Sequence, residues 1–243
     1  MEKLQESKIL ITGGSGLLGT ALKKVLPNAL YPTHNEFDIT KETSLIEYFK
    51  KKDWKLDIDT IFHGAAFTSP PKIEENPERA LSDNIEGTSA IVKLCMTFNF
   101  RLVYMSTDYV FKGDQGNYLE DAPVYPVNKY AWSKLGGECA VRLYDNSLII
   151  RTSMSPEPFP HEKAFIDQIA TKEYISKVAL KTAKLIKSDL TGTIHIGGKR
   201  QRIYHFARET KPDVGELFTS EVNFKVPKDV SLNQRRWDKW AKK

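Results

Sequence analysis

Glycines recur at every third position, at Gly13, Gly16 and Gly19, directly after the apolar run Lys8–Ile11. In a strand–turn–helix unit the first such glycine permits a tight turn, the second lets the backbone approach a pyrophosphate, and the third lets the helix pack close to the sheet. The unpaired N–H groups that begin the helix then face the anion. The spacing predicts a dinucleotide-binding loop, while an ordinary glycine turn stays open as the interpretation of the glycines alone.

Tyr130 and Lys134 are four residues apart in a stretch with helical character. Four residues make about one helical turn, so the phenol and the ammonium share a face. A cation about 4 Å from the phenol is worth up to about 4 kcal/mol at an effective dielectric of about 20. Because about 1.36 kcal/mol corresponds to one pKa unit, the pair is expected to lower the pKa of Tyr130 from about 10 toward neutrality, where proton transfer becomes practicable.

Thr107 belongs to the segment Ser106–Phe111, which begins where the apolar run Arg101–Met105 ends. In an open parallel sheet, ligands bind at the carboxyl ends of the strands. A Thr107 hydroxyl at such an end can donate a hydrogen bond to a substrate carbonyl oxygen, with Tyr130 as the proton donor. A serine or threonine that merely caps the strand is the structural alternative.

Alternating strands and helices must position these side chains. The predicted strands are Lys8–Ile11, Ala29–Tyr31, Asp59–Phe62, Arg101–Met105, Ser147–Ile150 and Thr193–Ile196. The predicted helices are Thr20–Leu26, Lys41–Lys51, Pro77–Phe98, Tyr130–Tyr144, Tyr174–Lys187 and Tyr204–Glu209. This alternation favours βαβ units around a parallel sheet, and the short apolar strands indicate a sheet that is covered on both faces. The fold class expected is α/β, a doubly wound parallel sheet with a small C-terminal α/β lobe.

Composition excludes several other classes of protein. Hydrophobic residues make up 40% and charged residues 28% of the 243 residues, which is enough apolar material for a core. Apolar runs such as Ser147–Ile150 are far shorter than the roughly 20 residues that span a bilayer, and the first residues lack the apolar stretch of a secretion signal. Two cysteines, Cys95 and Cys139, form neither a metal knot nor a disulfide framework. We therefore expect a cytoplasmic protein without a bound metal.

The net charge of +5 is concentrated at the end of the chain. Residues 199–243 contain 12 Lys and Arg against 6 Asp and Glu, so the first 198 residues carry a balance of −1. A basic final fifth can serve a nucleic acid, a small polyanion such as a nucleoside diphosphate, or only solvation. The segment Arg235–Trp240 mixes cations with aromatic residues, which a docking C-terminal helix explains equally well.

The segment after the second predicted strand bears on cofactor choice. An NAD-selective site of this type has a carboxylate there to hold the ribose 2′-hydroxyl. Residues 29–34, which end in Thr33 and His34, contain no acid. NADP(H) is therefore allowed and mildly favoured, and NAD(H) stays an option because Glu36 or Asp38 can fold back.

Taken together, these motifs resemble the extended short-chain dehydrogenase/reductase superfamily, and within it the dTDP-4-dehydrorhamnose reductases. The motifs that carry the resemblance are the three-glycine loop, His63–Thr68, Asn84–Thr88, Ser106–Phe111, Pro126–Lys134 and Arg151–Ser153. The resemblance is strong over about residues 8–155. It is weaker through Asp167–Gln168, Thr171, Tyr174–Ala179 and Gly192–Gly197.

The resemblance implies a Rossmann-like NAD(P)-binding domain over residues 1–155 and a shortened substrate-binding lobe over residues 156–243, interleaved with the main domain. It implies a catalytic triad of Thr107, Tyr130 and Lys134. The cofactor-binding residues it implies, besides Tyr130 and Lys134, are Gly13, Ser15, Gly16, Leu17, Leu18, Gly19, Asp38, Ile39, Ala65, Ala66, Phe67 and Thr68. The substrate contacts it implies are Thr107, Asp108 and Met154.

Two departures from the family pattern fall where the sugar nucleotide is expected to bind. The family usually has tryptophan at the position of Met154. It also usually has an additional helix before the counterpart of Asp167–Gln168, where this chain has only the proline-rich loop Ser155–Pro160. The identity of the sugar is therefore left open, whereas the cofactor half of the pattern is intact.

The function expected is NAD(P)H-dependent reduction of the 4-keto group of a nucleoside-diphosphate 6-deoxy sugar, as in dTDP-rhamnose biosynthesis. One alternative is a nucleotide-sugar epimerase or dehydratase that regenerates its NAD in each turnover. Another is a non-catalytic nucleotide-binding regulatory subunit, because the regulatory subunit of methionine adenosyltransferase resembles the same family. The expected partner is the nucleotide sugar, with a homodimer as an option, and neither nucleic acid nor membrane is expected to bind.

Overall fold

A five-stranded parallel sheet forms the centre of the computed structural model, which describes residues 5–51 and 57–242. The outermost residues of the two expected domains, 1–4 and 243, lie outside the described residues. The strands are β1 (Ile9–Thr12), β2 (Thr60–His63), β3 (Arg101–Met105), β4 (Ser147–Arg151), β5 (Met154–Ser155), β6 (Lys163–Phe165), β7 (Ile169–Ala170), β8 (Glu173–Tyr174), β9 (Gly192–His195), β10 (Gln201–Arg202) and β11 (Gly215–Leu217). The central sheet has the order β1-β2-β3-β4-β9.

Helices follow most of the strands. They are α1 (Leu17–Val25), α2 (Glu42–Lys51), α3 (Pro70–Glu75), α4 (Glu78–Ala80), α5 (Gly87–Phe98), α6 (Lys129–Val141), α7 (Ile175–Ile186), α8 (Ile203–Arg208) and α9 (Arg235–Ala241). A π-helical turn, Leu81–Glu86, joins α4 to α5, and 3-10 turns lie at Glu6–Lys8, Asp108–Val110 and Thr219–Glu221. No helix within the described ranges is long and apolar enough to cross a membrane.

Helices cover both faces of the sheet. Side chains of each strand alternate between the faces, so Ile9 and Ile11 of β1 pack in one core and Leu10 packs in the other. The first core contains residues of α1, α7 and α9, and the second contains residues of α2, α5 and α6. The α/β fold with a doubly wound parallel sheet is confirmed.

The predicted strand Ala29–Tyr31 is reduced to a single bridge between Leu30 and Leu10. Leu30 exchanges two backbone hydrogen bonds of 2.8 Å with Ile9 and Ile11, but Pro32 has no N–H with which to extend the ladder. The prediction of a strand is therefore wrong in extent, although the segment lies where the strand was expected. Because it lies beside β1 on the side opposite β2, the chain reverses its winding direction at the carboxyl end of β1.

The predicted helix Pro77–Phe98 is not continuous. It is divided into α4, the π-helical turn and α5, and the preceding α3 was not predicted. The π-helical turn contains Asn84, which is fully buried. The Asn84 amide accepts a hydrogen bond of 2.8 Å from the Phe67 N–H and donates one of 2.9 Å to the Phe67 carbonyl, and it also donates to the Ser133 hydroxyl. The interruption thus fixes the loop after β2 against α6.

A smaller lobe packs beside the carboxyl ends of the sheet strands. Its core consists of side chains from its short strands, from α8 and from the loops between them: Phe159, Ala164, Ala170, Tyr174, Ile203, Phe206, Ala207, Val214 and Val230. Strand β6 pairs with β11, and β7 pairs with β10. Between the two halves of this lobe, α7 and β9 return to the central sheet, so the chain crosses between sheet and lobe more than once.

The C-terminal helix α9 docks against the edge strand β9. Trp237 is buried in the first core. The Arg236 guanidinium donates hydrogen bonds to the carbonyl oxygens of Thr191, at 2.8 Å, and of Thr193. These contacts account for the mixed aromatic and basic character of this segment.

Candidate active site

Three glycines form the turn after β1, and the backbone requires two of them, Gly13 and Gly19. Gly13 has a φ of +76°, and a Cβ there would lie 2.7 Å from the Ala65 nitrogen. A Cβ on Gly19 would overlap the Gly13 carbonyl oxygen. Gly16, which precedes α1, differs because a Cβ there would meet only that carbonyl oxygen, at 3.3 Å. Space is therefore left at the N-terminus of α1, where backbone N–H groups favour an anion.

A buried polar cluster joins the ends of β1 and β2 beneath this turn. The Thr12 hydroxyl lies 2.8 Å from His63 Nδ1 and accepts a hydrogen bond of 3.2 Å from the Ala65 N–H. His63 Nε2 lies 3.0 Å from the Thr88 hydroxyl. Burial, together with the charge of Lys134, lowers the pKa of His63 to about 3, so this side chain is a neutral structural element that holds the loop after β2 against the glycine turn.

A cavity of about 390 Å³ extends from the glycine turn to the carboxyl ends of β3 and β4. We call it the main cleft. The predicted site residues that line it are Gly13, Gly16, Leu17, Leu18, Gly19, Ala66, Thr68, Thr107, Asp108, Tyr130, Lys134 and Met154. A second cavity of about 230 Å³ shares part of the glycine turn with the main cleft and is lined by the predicted residues Ser15, Ile39 and Ala65. One continuous surface thus carries both the glycine turn and the predicted triad.

Two predicted cofactor residues, Asp38 and Phe67, line neither cavity. The Asp38 carboxylate accepts hydrogen bonds from the N–H and hydroxyl of Thr40 at 3.0 and 2.7 Å, and it lies 3.2 Å from the Lys41 ammonium. The Phe67 ring lies 4.6 Å from the Arg79 guanidinium. Arg79 and Asp83, which were not predicted, do line the second cavity.

Thr107 and Tyr130 are brought together by β3 and α6. Asn128 caps α6 by accepting a hydrogen bond of 2.9 Å from the Ala131 N–H, so Tyr130 lies in the first helical turn. The Thr107 hydroxyl lies near the Tyr130 hydroxyl and lowers the pKa of Tyr130. Thr107 also accepts a hydrogen bond of 3.2 Å from the Tyr109 N–H. A hydroxyl pair therefore faces the main cleft at the carboxyl end of β3.

Lys134 is buried one helical turn below Tyr130. Its side chain is 3% exposed, and its ammonium lies 4.3 Å from the centre of the Tyr104 ring. Burial lowers the pKa of Lys134 to about 7, while the charge of Glu138 acts in the opposite direction. Near neutral pH the side chain is therefore divided between its charged and uncharged forms.

The expectation that Lys134 brings the Tyr130 pKa toward neutrality is wrong for the free protein. Burial raises the pKa of Tyr130 to about 12, and the nearby Asp108 charge adds to this, whereas the Thr107 hydroxyl lowers it. The ammonium of Lys134 rests against the Tyr104 ring and is itself only partly ionised. Tyr130 is accordingly a protonated phenol at neutral pH, which is the form that donates a proton.

Beneath the triad lies a buried ion pair that the sequence analysis did not identify. Glu138 and Arg151 are both fully buried, and their carboxylate and guanidinium form two hydrogen bonds of 2.9 and 2.8 Å. Ser106 donates a hydrogen bond of 2.6 Å to the same carboxylate. Because Ser106 precedes Thr107 and Glu138 follows Lys134 by one turn, this cluster fixes the end of β3 against α6. The four-residue spacing from Lys134 was the available signal.

The end of the main cleft nearest the smaller lobe carries Asp108, Met154 and Lys172. Asp108 is 1% exposed, and burial raises its pKa to about 6. Lys172 was not predicted as a site residue. It lies between β7 and β8, and its ammonium donates a hydrogen bond of 3.4 Å to the Met154 carbonyl. Its position just after Thr171, in the weaker part of the family pattern, gave no chemical signal by itself.

Comparison with known proteins agrees with this geometry. The chain is 29% identical over 229 residues to the dTDP-4-dehydrorhamnose reductase of Aggregatibacter actinomycetemcomitans, a match that covers 84% of this chain and 74% of that protein. A crystal structure of a hypothetical dTDP-4-dehydrorhamnose reductase from Sulfolobus tokodaii superimposes with a TM-score of 0.82 at 30% identity, covering 96% of this chain and 94% of that one.

A shorter stretch of the chain also matches a protein that is not named as a reductase. The methionine adenosyltransferase 2 subunit beta of Xenopus laevis is 32% identical over 148 residues, which cover 55% of this chain and 42% of that protein. The family comparison covers most of the chain. Residues 7–173 match the family described as RmlD substrate binding domain. That range includes the glycine turn, the Thr107–Tyr130 hydroxyl pair and Lys134. The resemblance inferred from the motifs is therefore confirmed. The chain belongs to the RmlD substrate binding domain family.

Proposed function

We propose that this protein is an NAD(P)H-dependent reductase of the 4-keto group of a nucleoside-diphosphate 6-deoxy sugar. The observation that carries the proposal is the Thr107–Tyr130 hydroxyl pair, which lines the same cleft as the glycine turn at the N-terminus of α1. A carbonyl oxygen placed between these hydroxyls receives a hydrogen bond and a proton from one side of the cleft. The names of the relatives at 29% and 30% identity agree with this reaction.

The residues of the cleft fit a nicotinamide dinucleotide. The open side of Gly16 leaves space for a pyrophosphate at the start of α1. The carboxylates at the adenosine end have other partners: Glu36 accepts two hydrogen bonds of 2.8 Å from Thr33, and Asp38 is bound to Thr40. Asp83, which lines the second cavity, is paired with Arg79 at 3.1 Å. Glu36 and Asp38 do not line the second cavity, and the charge of Asp83 there is balanced by Arg79, so NADP(H) is favoured and NAD(H) is accepted. The chemistry that the cofactor supplies when bound is a hydride for the carbonyl carbon.

Each polar residue of the cleft then has a distinct role. Tyr130 donates its phenolic proton to the carbonyl oxygen, and the Thr107 hydroxyl turns its proton from Asp108 Oδ1 to hold the same oxygen by a hydrogen bond. Lys134 in its ammonium form holds the nicotinamide ribose and stabilises the phenolate that remains on Tyr130. Asp108 and Met154 contact the sugar. Their place at the end of the cleft beside the smaller lobe supports this assignment.

We assign residues 1–155 to cofactor binding and residues 156–243 to the substrate lobe. The names of the relatives support a dTDP-L-rhamnose-type product. A cytoplasmic location accords with two cysteines that are both free, of which Cys95 is buried.

The experiment that tests the function offers NADPH and NADH separately with an enzymatically generated 4-keto-6-deoxy sugar nucleotide. Stoichiometric loss of absorbance at the nicotinamide band is the result expected, with NADPH at least as effective as NADH. Turnover of the sugar without net oxidation would instead assign the protein to the epimerases and dehydratases. Cofactor binding without any turnover would assign it to the regulatory subunits.

Tyr130→Phe tests the proton donor, because it keeps the ring and removes the hydroxyl. We expect the reduction rate to fall by roughly 10²–10⁴-fold and the cofactor affinity to change little. Tyr125→Phe, at an exposed tyrosine outside the cleft, is the matched control and should retain the wild-type rate. Wild-type reduction by Tyr130→Phe would refute the mechanism.

A regulatory role is the second candidate, favoured by the match to the methionine adenosyltransferase subunit. A nucleotide-binding subunit needs the glycine turn but has no need of a hydroxyl pair beside a buried lysine. The presence of Thr107, Tyr130 and Lys134 along one cleft supports the reductase over this candidate.

A further inference from the structure

Asp108 presents an unsatisfied acceptor inside the main cleft. Its Oδ1 accepts a hydrogen bond of 3.1 Å from the Thr107 hydroxyl. Its buried Oδ2 forms no hydrogen bond of ordinary distance and angle with the described residues, although the Ser153 hydroxyl lies beside the carboxyl group. A buried acceptor without a partner costs free energy that a ligand donor can recover. Asp108 lines the main cleft, so a rotation of its buried carboxyl group would present Oδ2 to a donor that enters there.

Lys172 is a cation that lines the same cleft as Asp108, and its ammonium lies more than 4 Å from the carboxylate. It lies in the loop between β7 and β8, and its ammonium is held by the Met154 carbonyl. Lys172 lowers the pKa of Asp108, which burial raises, and Asp108 in turn opposes the effect of burial on Lys172. The two side chains come from different lobes and stabilise each other's charged form.

The other polar groups around Asp108 carry no charge at neutral pH. They are the hydroxyls of Thr107 and Tyr109 on its own turn, of Tyr130 on α6 and of Ser153 after β4. An isolated carboxylate in such surroundings would take up a proton, because burial disfavours the ionised form. The charge of Lys172 is the largest of the influences that favour the ionised form of Asp108, ahead of the Thr107 and Ser153 hydroxyls.

We propose that Lys172 is a positioning residue for the substrate: its ammonium is the counter-ion that fixes the Asp108 carboxylate as the acceptor for a sugar hydroxyl next to the reacting carbonyl. The neighbouring position follows from the chain, because Asp108 directly follows Thr107, which holds the carbonyl oxygen. This inference rests on the proposed function and deepens it. The substrate must carry a free hydroxyl beside its keto group.

The first test needs no substrate, so it stands whatever the enzyme reduces. The carboxyl carbon of Asp108 is followed by NMR in protein labelled with 13C-aspartate, with Asp108→Asn used for assignment. Lys172→Met should move the titration midpoint of Asp108 upward by about one pH unit or more. Lys172→Arg, which keeps the charge, should leave the midpoint close to that of the wild type. An unchanged midpoint in Lys172→Met would overturn the counter-ion role.

The second test uses the keto-sugar nucleotide. At pH 7, Lys172→Met should raise KM by roughly tenfold, in proportion to the loss of a hydrogen bond to a charged group, and should affect kcat less. The pH below which kcat/KM declines should also move upward in this variant, and Lys172→Arg should restore both properties. Unchanged affinity for NADP⁺ in each variant shows that the fold is intact.

Two outcomes separate the inference from the function. A displaced Asp108 midpoint without any change in KM or in the pH profile would overturn the role in substrate binding. A wild-type protein that reduces no keto-sugar nucleotide would refute the proposed function, whereas the NMR titration would still decide whether Lys172 is the counter-ion of Asp108.

Discussion

At the scale of single residues, Tyr130 and Lys134 respond to burial in opposite senses. Burial raises the pKa of Tyr130 to about 12 and lowers that of Lys134 to about 7. In each case the uncharged form is favoured, since removal from water penalises the charge. In the free protein Tyr130 therefore keeps its proton. Lys134 becomes fully charged only when an anionic or polar partner favours its ammonium form.

One consequence is a proton taken up when the cofactor binds. Above pH 7 the lowered pKa leaves most Lys134 side chains uncharged, and contact with a dinucleotide favours the charged form, so binding should absorb a fraction of a proton. Calorimetric titration of NADP⁺ at pH 7.5, in buffers of different ionisation enthalpy, measures this uptake. Affinity should correspondingly weaken as the pH rises through 7.

Lys134→Arg provides the control, because a guanidinium stays charged throughout this range. That variant and Lys134→Met should both lose the uptake seen in the wild type. If either variant absorbs as much proton as the wild type, another group is responsible.

The sequence was sufficient for the residues whose signal is local. Tyr130 and Lys134 share a helical face, and Thr107 follows an apolar strand, so spacing alone indicated all three. Lys172 could not be found in this way, since Asp108 is distant in the chain and the two residues line one cleft only after the two lobes pack. The direction of the Tyr130 pKa was mispredicted for the same reason: burial is a property of the folded molecule.

At the scale of elements, the three glycines of the turn after β1 have separable duties. Gly19→Ala should destabilise the fold, because its Cβ would overlap the Gly13 carbonyl oxygen, which is backbone and cannot move aside cheaply. Gly16→Val should reduce the free energy of unfolding less than Gly19→Ala does, because its Cβ would lie 3.3 Å from the same oxygen, and it should abolish dinucleotide binding, because its side chain enters the pyrophosphate space.

Urea denaturation and titration with NADP⁺ and NAD⁺ measure the two effects on the same samples. We expect a loss of about 1–3 kcal/mol for Gly19→Ala, as for overpacked sites. A folded Gly16→Val variant with wild-type affinity for both dinucleotides would contradict the assignment of this turn.

Most element positions followed from apolar periodicity, and the exceptions have definite causes. The segment Ala29–Tyr31 forms one bridge because Pro32 ends its ladder. The helix expected over Pro77–Phe98 is interrupted where Asn84 turns inward to bind the loop after β2. A polar residue that replaces a helical contact with a distant backbone contact leaves no trace in hydrophobic spacing.

At the scale of the whole molecule, the Glu138–Arg151 pair connects the helix of the triad to the central sheet. Glu138→Gln keeps the size of the side chain but leaves the buried Arg151 charge without its counter-ion. We expect a loss of about 3–5 kcal/mol in the free energy of unfolding, measured by chemical denaturation. Glu74→Gln, which weakens an exposed contact of 3.9 Å with Lys129, should cost at most about 1 kcal/mol.

A double variant distinguishes lost attraction from a stranded charge. If the isolated guanidinium is the main cost, Glu138→Gln combined with Arg151→Met should recover part of the stability lost in Glu138→Gln alone. The free energy of unfolding of Arg151→Met is measured as well. If the losses in Glu138→Gln and Arg151→Met simply add in the double variant, the two side chains act independently.

The docking of α9 has a consequence for the behaviour of the protein at high concentration. Strand β9 is the last strand of its sheet, and the outer edge of such a strand offers backbone groups to which another chain can add a strand. Arg236 occupies the carbonyl oxygens of Thr191 and Thr193 along this edge. Arg236→Ala should therefore aggregate sooner than the wild type on mild heating, because α9 would no longer block the addition of a strand from another molecule. Light scattering measures this difference.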